Sequence, residues 1–258
     1  MGYYTCPTHP TVYLTHSNIE IWPHDIFQAI FQTAQEKSMK ELFPGVWKNE
    51  KRILTKNMIH GFRGYSEQLV RISGIEYVVW DPYRSKPAAA IANGLKNFPL
   101  RPGMKILYLG IASGQTASHF SDITGPEGII YGVEISERTF RELNPVAEKR
   151  GNIVPILANA RKPEDYGWIE TVDMVFQDVA ADDQSEILIR NCDAFLKPGG
   201  MAMLSLKSRS IDVTRRPEEI YRREEEKLRK RFVITEKVRL DPYEKDHMLF
   251  VLESACRQ

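Results

Sequence analysis

Glu134, Asn159, Asp178 and Lys207 each close or follow a short apolar run of this 258-residue chain. If those runs are strands of one sheet, the four side chains fall at carboxyl strand ends, where open α/β sheets hold their ligands. Glu134 stands 20 residues after Gly114. An acid so placed can accept hydrogen bonds from both hydroxyls of a ribose, although a solvated glutamate at a strand tip is the plainer alternative. Lys86 and Lys207 would bring two ammonium groups to the one carboxylate of Asp178, with His247 beside the same crevice. Two lysines near one carboxylate can hold an alkoxide-like oxygen, and like charge together with burial lowers the pKa of one of them. Taken singly, each of these residues could equally be half of a surface ion pair.

The stretch that must position them is Lys105-Ile106-Leu107-Tyr108-Leu109, followed by Gly110 and Gly114 and then by Thr116-Ala117-Ser118-His119-Phe120. A buried strand, a glycine turn and a helix in that order bring a ligand against bare backbone N–H groups. The spacing is G-x-x-x-G rather than G-x-G-x-x-G, so a pyrophosphate grip is not expected.

Around this unit the pattern alternates. Strands are predicted at 128–134, 152–157, 172–178 and 201–206, and helices at 136–150, 185–195 and 217–231, with a turn at 196–200. The stretches 232–240 and 247–253 read as a closing pair of strands. The result is a doubly wound, mostly parallel sheet with right-handed crossovers and an antiparallel C-terminal hairpin over residues 85–258. Residues 39–84 read as a small β domain, with short strands at 43–47, 52–55, 68–72 and 75–80 and a hairpin turn at Ser73-Gly74. Ser85 is expected to cap the helix that follows, with Pro87 in its first turn. Residues 1–38 form an extension broken by Pro7, Pro10 and Pro23, with a short helix predicted at 26–34; His9, His16 and His24 lack metal-ligand spacing, and no metal is expected.

The chain is 42% hydrophobic and carries a formal net charge of +1. It can bury a full core and does not announce a nucleic-acid binder, so any RNA contact must come from a local patch. Of the basic residues after Lys207, those at 222–231 alternate with glutamates as on a solvated helix face, which leaves Arg209, Arg215 and Arg216 as the phosphate-contact candidates. Cys6, Cys192 and Cys256 are scattered and read as reduced thiols of a cytosolic protein. No apolar run would span a membrane, and no signal peptide is evident.

Taken together, Asp81-Pro82-Tyr83-Arg84-Ser85-Lys86, Leu107-Tyr108-Leu109-Gly110 with Ala112-Ser113-Gly114, Thr116-Ala117-Ser118-His119, Tyr131-Gly132-Val133-Glu134, Asp178-Val179-Ala180, Lys207-Ser208-Arg209-Ser210-Ile211-Asp212-Val213 and Tyr243-Glu244-Lys245-Asp246-His247 resemble fibrillarin over about residues 39–254. The resemblance implies a Rossmann-like class I S-adenosylmethionine-dependent methyltransferase fold, with S-adenosylmethionine as methyl donor and the 2′-hydroxyl of rRNA ribose as acceptor, with tRNA ribose as a second candidate. It implies a box C/D ribonucleoprotein in which a guide RNA selects the target, with a Nop-family scaffold protein and a small kink-turn RNA-binding protein as partners. Gly110, Ser113, Gln115 and Thr116 match the loop over the methionine part of the cofactor. Glu134 and Ile135 match the ribose and adenine contacts, Asn159 and Ala160 the next adenine-contacting pair, and Asp178, Val179, Ala180 and Ala181 the loop near the sulfonium. Lys86, Asp178, Lys207 and His247 match the catalytic set, with Lys207 expected nearest the hydroxyl and oriented by Asp178.

The sequence also departs from the family pattern. Gln115 stands where threonine is common, Asn159 where aspartate is usual, and Ala181-Asp182 replaces a Gln-Pro pair. The glycine/arginine-rich tail of eukaryotic members is absent, which favours an archaeal-type, cytoplasmic protein over a nucleolar one. The family pattern begins at Met39, so residues 1–38 are expected to be dispensable. The rival readings are a protein-glutamine methyltransferase and a structural subunit that has lost catalysis.

Overall fold

A computed structural model describes residues 11–14, 19–22, 39–65 and 67–255. Thr11–Leu14 (β1) and Ile19–Trp22 (β2) pair as an antiparallel hairpin. The expected helix at 26–34, the three early histidines, Cys6 and Cys256 lie outside the described residues.

Met39–Phe43 (β3), Val46–Asn49 (β4), Arg52–Lys56 (β5), Leu69–Ile72 (β6) and Ile75–Val79 (β7) form an antiparallel sheet in the order β3-β4-β5-β7-β6. The sequence reading ran one strand through 43–47. Instead Pro44-Gly45 turns the chain, with Phe43 opposite Val46 and Gly45 at φ +79°, a left-handed conformation that glycine adopts without cost.

The second sheet is built from Lys105–Leu109 (β8), Ile129–Glu134 (β9), Ile153–Leu157 (β10), Val172–Gln177 (β11), Leu196–Lys207 (β12), Phe232–Arg239 (β13) and His247–Ser254 (β14). Its order is β10-β9-β8-β11-β12-β14-β13. The strands from β10 to β12 run parallel, and β14 is antiparallel to both neighbours. The chain grows outward from β8 to β10 and then returns to β11 on the other flank of β8. A crevice forms at such a reversal, between the ends of β8 and β11. The turn expected at 196–200 is carried inside β12 as an irregularity, where the register with β11 jumps between Val172 and Met174.

Alternation along the central strands divides the core. Ile106 and Tyr108 face one side, with Met174 and Phe176, while Leu107 and Leu109 face the other, with Val175 and Leu204. With both faces covered, these strands read as continuous apolar runs. The small sheet contributes Val46, Ile53 and Trp80 to the first of those cores. Trp80 is wholly buried, edge-on to Phe98 and Phe120, and stacked on His119 with centroids 5.0 Å apart. Truncating such a side chain typically costs about 3–5 kcal/mol.

The helices are Lys86–Ala92 (α1), Gln115–Thr124 (α2), Glu137–Arg150 (α3), Gln184–Phe195 (α4), Ser208–Ile211 (α5) and Pro217–Leu228 (α6), with a 3₁₀ turn at Pro163–Tyr166. α3 starts where Ser136 accepts from the Thr139 N–H, and it buries Leu143, Val146, Ala147 and Arg150 at helical spacing. Ser85 occupies the N-cap position of α1, but its hydroxyl does not cap the helix as expected. It accepts from Trp80 Nε1 at 2.8 Å and from Thr116 Oγ1 at 2.9 Å, which ties the start of α1 to the core and to α2. No described helix is long and apolar enough to cross a membrane.

Candidate active site

The loop after β8 is held in left-handed backbone conformations, with Gly110 at φ +77°, Ala112 at +51° and Gly114 at +95°. A Cβ on Gly110 would stand 2.7 Å from the backbone carbonyl of Asp178, so only glycine lets the ends of β8 and β11 approach this closely. Ala112 bears a strained conformation that its surroundings must over-determine. Its N–H donates to Glu134 Oε2 at 2.9 Å, while the Ser136 N–H donates to Oε1 at 2.8 Å. Glu134 is therefore fixed by two amides, and each oxygen keeps a lone pair for another donor. Gly114 begins α2 and brings no capping side chain, so the amides of the first turn point outward unclaimed by one.

Gly110, Glu134, Ile135, Asn159, Ala160, Asp178, Val179, Ala180 and Ala181 line one crevice of about 320 Å³. The sequence reading assigned every one of them to the cofactor. Ile135 is 64% exposed at its rim, an apolar surface suited to a flat ring. Ser113, Gln115 and Thr116 are not among the lining residues. The Ser113 carbonyl accepts from the Tyr65 hydroxyl, and Thr116 is committed to Ser85. The Gln115 amide lies against the Arg84 guanidinium; assigned so that its oxygen faces those donors, it accepts at 2.8 and 3.2 Å, beside a neighbouring cleft of about 250 Å³. Asn159 Oδ1 accepts from the Arg161 N–H at 3.0 Å. Asp182, where the family pattern differs, pairs with Arg161 at 2.9 Å, and Asp183 joins the same guanidinium. These are exposed pairs, each worth about 0–1 kcal/mol, and they tether the 178–183 loop more than they stabilise the fold.

At the edge of the crevice Lys86 Nζ lies 3.0 Å from Asp178 Oδ2, both side chains being largely buried. Burial alone would push Lys86 toward its neutral form. The charge and hydrogen bond of Asp178, with a contribution from Glu244, outweigh it and hold the ammonium above the usual lysine range. One expectation is thereby corrected: Asp178 pairs with Lys86 rather than with Lys207. Of a neutral and a charged lysine, Lys86 is the charged one.

Lys207 and His247 face each other across β12 and β14, as the returning hairpin required. Lys207 is exposed, and among the described residues it makes no ion pair with Asp178. Its backbone is gripped by the buried Gln184 side chain, which accepts from the Lys207 N–H at 2.9 Å and donates to its carbonyl at 3.0 Å. Gln184 also donates to the Ala181 carbonyl at 2.7 Å, joining the end of β12 to the 178–183 loop. His247 is buried, and its Nδ1–H donates to the Lys245 carbonyl at 2.7 Å. It braces its own loop, and no hydrogen bond joins it to the Lys86–Asp178 pair among the described residues. Arg209 pairs with Asp246 at 3.2 Å and Arg215 with Asp212 at 3.3 Å, while Arg216 is exposed at the start of α6.

Tyr65, Arg84, Arg161 and Gln184 were missed by sequence reasoning. Tyr65 and Arg84 come from the segment before the glycine loop, and nothing in their local pattern points at it. Gln184 carried a readable signal: a polar residue opening a helix straight after the Asp178 loop.

The family model described as Fibrillarin matches residues 33–255. A protein of Pyrococcus furiosus, described as a fibrillarin-like rRNA/tRNA 2′-O-methyltransferase, is 52% identical over 219 residues, 83% of this chain and 96% of that one. Aeropyrum pernix fibrillarin, solved with natively bound S-adenosyl-L-methionine, superposes with a TM-score of 0.75 at 47% identity, over 81% of this chain and 94% of that one. A chain of a fibrillarin/Nop5p complex gives 0.78 at 38% identity, over 83% of this chain and 100% of that one.

Proposed function

This chain belongs to the fibrillarin family, and from that premise we propose that it methylates the 2′-hydroxyl of rRNA ribose, and of tRNA ribose, with S-adenosylmethionine as donor. The observation that carries the reading is the Lys86–Asp178 pair, 3.0 Å apart on the rim of a crevice that ends at Glu134. The crevice suits the donor. Glu134 offers two fixed acceptor oxygens for a ribose diol, Gly110 lets the loop after β8 close against Asp178 at the crevice wall, and Ile135 presents an apolar rim for adenine.

When bound there, S-adenosylmethionine supplies a methyl carbon already activated by its positive sulfur. What remains for the chain is to place a hydroxyl in line and to stabilise its oxygen as the proton departs. The Lys86 ammonium meets that need as a cation, and Asp178 holds it in place. A fixed charge of this kind, in a site shielded from water, is typically worth about 10²–10³ in rate. His247 keeps the Lys245–His247 turn in shape, and so keeps Glu244 near Lys86. Lys207 offers a second cation from the neighbouring strand end to the incoming RNA strand.

The working assembly in this reading is a box C/D ribonucleoprotein. The solved fibrillarin/Nop5p complex supports a Nop-family scaffold as partner. Guide RNA and a small kink-turn RNA-binding protein complete it, and pairing with the guide supplies sequence specificity that this nearly neutral chain lacks. The intact charged pair argues against a subunit that has lost catalysis.

The test is transfer of labelled methyl from S-adenosylmethionine by the chain assembled with scaffold, kink-turn protein and guide RNA. Label on the ribose opposite the guide supports the reading. Label only on a glutamine-bearing protein, or nowhere, overturns it.

A further inference from the structure

Tyr83 is 65% exposed to solvent in a hydrogen-bonded turn. Its N–H donates to Asp81 Oδ1 at 2.9 Å, and the Arg84 N–H closes the same turn onto the Asp81 carbonyl at 3.1 Å. The ring is braced by Tyr243, centroids 4.9 Å apart and planes at 72°. Tyr243 is itself half-buried and packs on the core beneath. An edge-to-face pair of this kind leaves ring surface free for another flat partner.

The two tyrosines belong to the segments that deliver the charged site. Tyr83 lies three residues before Lys86, in the turn that opens α1. Tyr243 precedes Glu244, whose charge acts on Lys86, in the loop that runs to His247. A ribose whose 2′-hydroxyl reaches Lys86 necessarily brings nucleobases with it. A braced, exposed aromatic three residues before that lysine is the kind of surface on which proteins stack unpaired bases.

Resting on the reading of the chain as an RNA methyltransferase, we propose that the open ring surface of Tyr83 stacks on a nucleobase of the target strand at or next to the reacting ribose, with Tyr243 as its brace. The pair thus sets the height of the ribose above Lys86 and Asp178. Losing one such stack is expected to slow methylation of subsaturating RNA by roughly tenfold, within the range measured for base–aromatic contacts.

The experiment uses the complete guide ribonucleoprotein with substrate RNAs carrying an abasic residue at the target nucleotide or at either neighbour. Single-turnover methylation is measured for the wild type, Tyr83→Ala and Tyr83→Trp. The expected result has four parts: Tyr83→Ala is slower by about tenfold, Tyr83→Trp is near wild type, S-adenosylmethionine affinity is unchanged, and at one of the three positions the abasic substrate and Tyr83→Ala together are no worse than either alone. Multiplying effects at all three positions would overturn the proposal, as would a Tyr83→Ala rate equal to wild type. If Tyr83→Ala instead weakens assembly with the scaffold protein but reacts normally once assembled, the ring is a protein contact and the proposal is wrong. A wild-type particle that methylates no ribose would refute the underlying activity; methylation that ignores Tyr83 refutes only the stacking.

Discussion

The Lys86 ammonium sits 3.0 Å from the Asp178 carboxylate, joining the first residue of α1 to the loop at the end of β11. Two residues distant in sequence meet because Ser85, next to Lys86, is locked by the Trp80 indole and the Thr116 hydroxyl. The charge of Lys86 is held above the usual lysine range against the opposing effect of burial. In the mechanism we propose it therefore acts as a cation toward a developing alkoxide, and removal of the hydroxyl proton falls to solvent or to another group.

Glu134→Ala should weaken S-adenosylmethionine binding by about 1.5–3 kcal/mol, the usual size of a lost charge-assisted hydrogen bond. The change also releases the Ala112 and Ser136 amides that Glu134 now holds. Titration calorimetry on the purified chain measures it, and unchanged affinity would remove Glu134 from the cofactor site.

The purified chain alone should bind naked RNA weakly, and more weakly still as salt rises. Its formal net charge is +1, and two of the three candidate arginines are already paired, Arg209 with Asp246 and Arg215 with Asp212. Charge neutralisation supplies most non-specific affinity. Fluorescence anisotropy across a salt series checks this, with Arg216→Ala expected to lower the salt slope by about 1. Tight binding that ignores salt would contradict it.

His119 should make the fold acid-sensitive. Burial, with the nearby Arg150 charge, depresses its pKa from 6.5 to about 3. Thr55 donates its one proton to Asp122, so it accepts from His119 Nδ1–H. The unfolded chain takes up a proton on this histidine below about pH 6.5, while the folded chain resists until about pH 3. Between those values the unfolded state binds more protons, so stability falls as pH falls, by up to about 1.4 kcal/mol per pH unit from this residue. Denaturant titrations of wild type and His119→Gln at pH 7 and 5 should differ in slope, by about 2 kcal/mol over the interval. Parallel pH dependences would show that His119 is not held neutral.

The strand-end acids were legible in the sequence because each closes an apolar run whose period and length mark a buried parallel strand. Glu134 and Asp178 line the crevice for that reason. The partner of Asp178 was not legible from strand order. Lys207 ends β12, the neighbour of β11, and looked nearest. Lys86 comes from a helix before the sheet begins, and only the packing of Trp80, Ser85 and Thr116 brings it in. Ser85 was misread for the same reason, since an N-cap serine and a buried acceptor look alike in one dimension. The turn at Pro44-Gly45 was hidden inside an apolar stretch, Phe43 to Trp47, that reads as one strand.

The account turns on which lysine answers to Asp178. The deciding measurement is the single-turnover methylation rate of the assembled guide ribonucleoprotein carrying Lys86→Ala, Asp178→Asn or Lys207→Ala, with S-adenosylmethionine affinity measured alongside. Lys86→Ala is expected to lower the rate by about 10²–10³ with affinity nearly intact, as for an interaction made mainly in the transition state. Asp178→Asn on top of it should add little, and Lys207→Ala should act mainly through RNA binding. Full-rate methylation by Lys86→Ala, with the large loss falling on Lys207→Ala instead, would contradict the account.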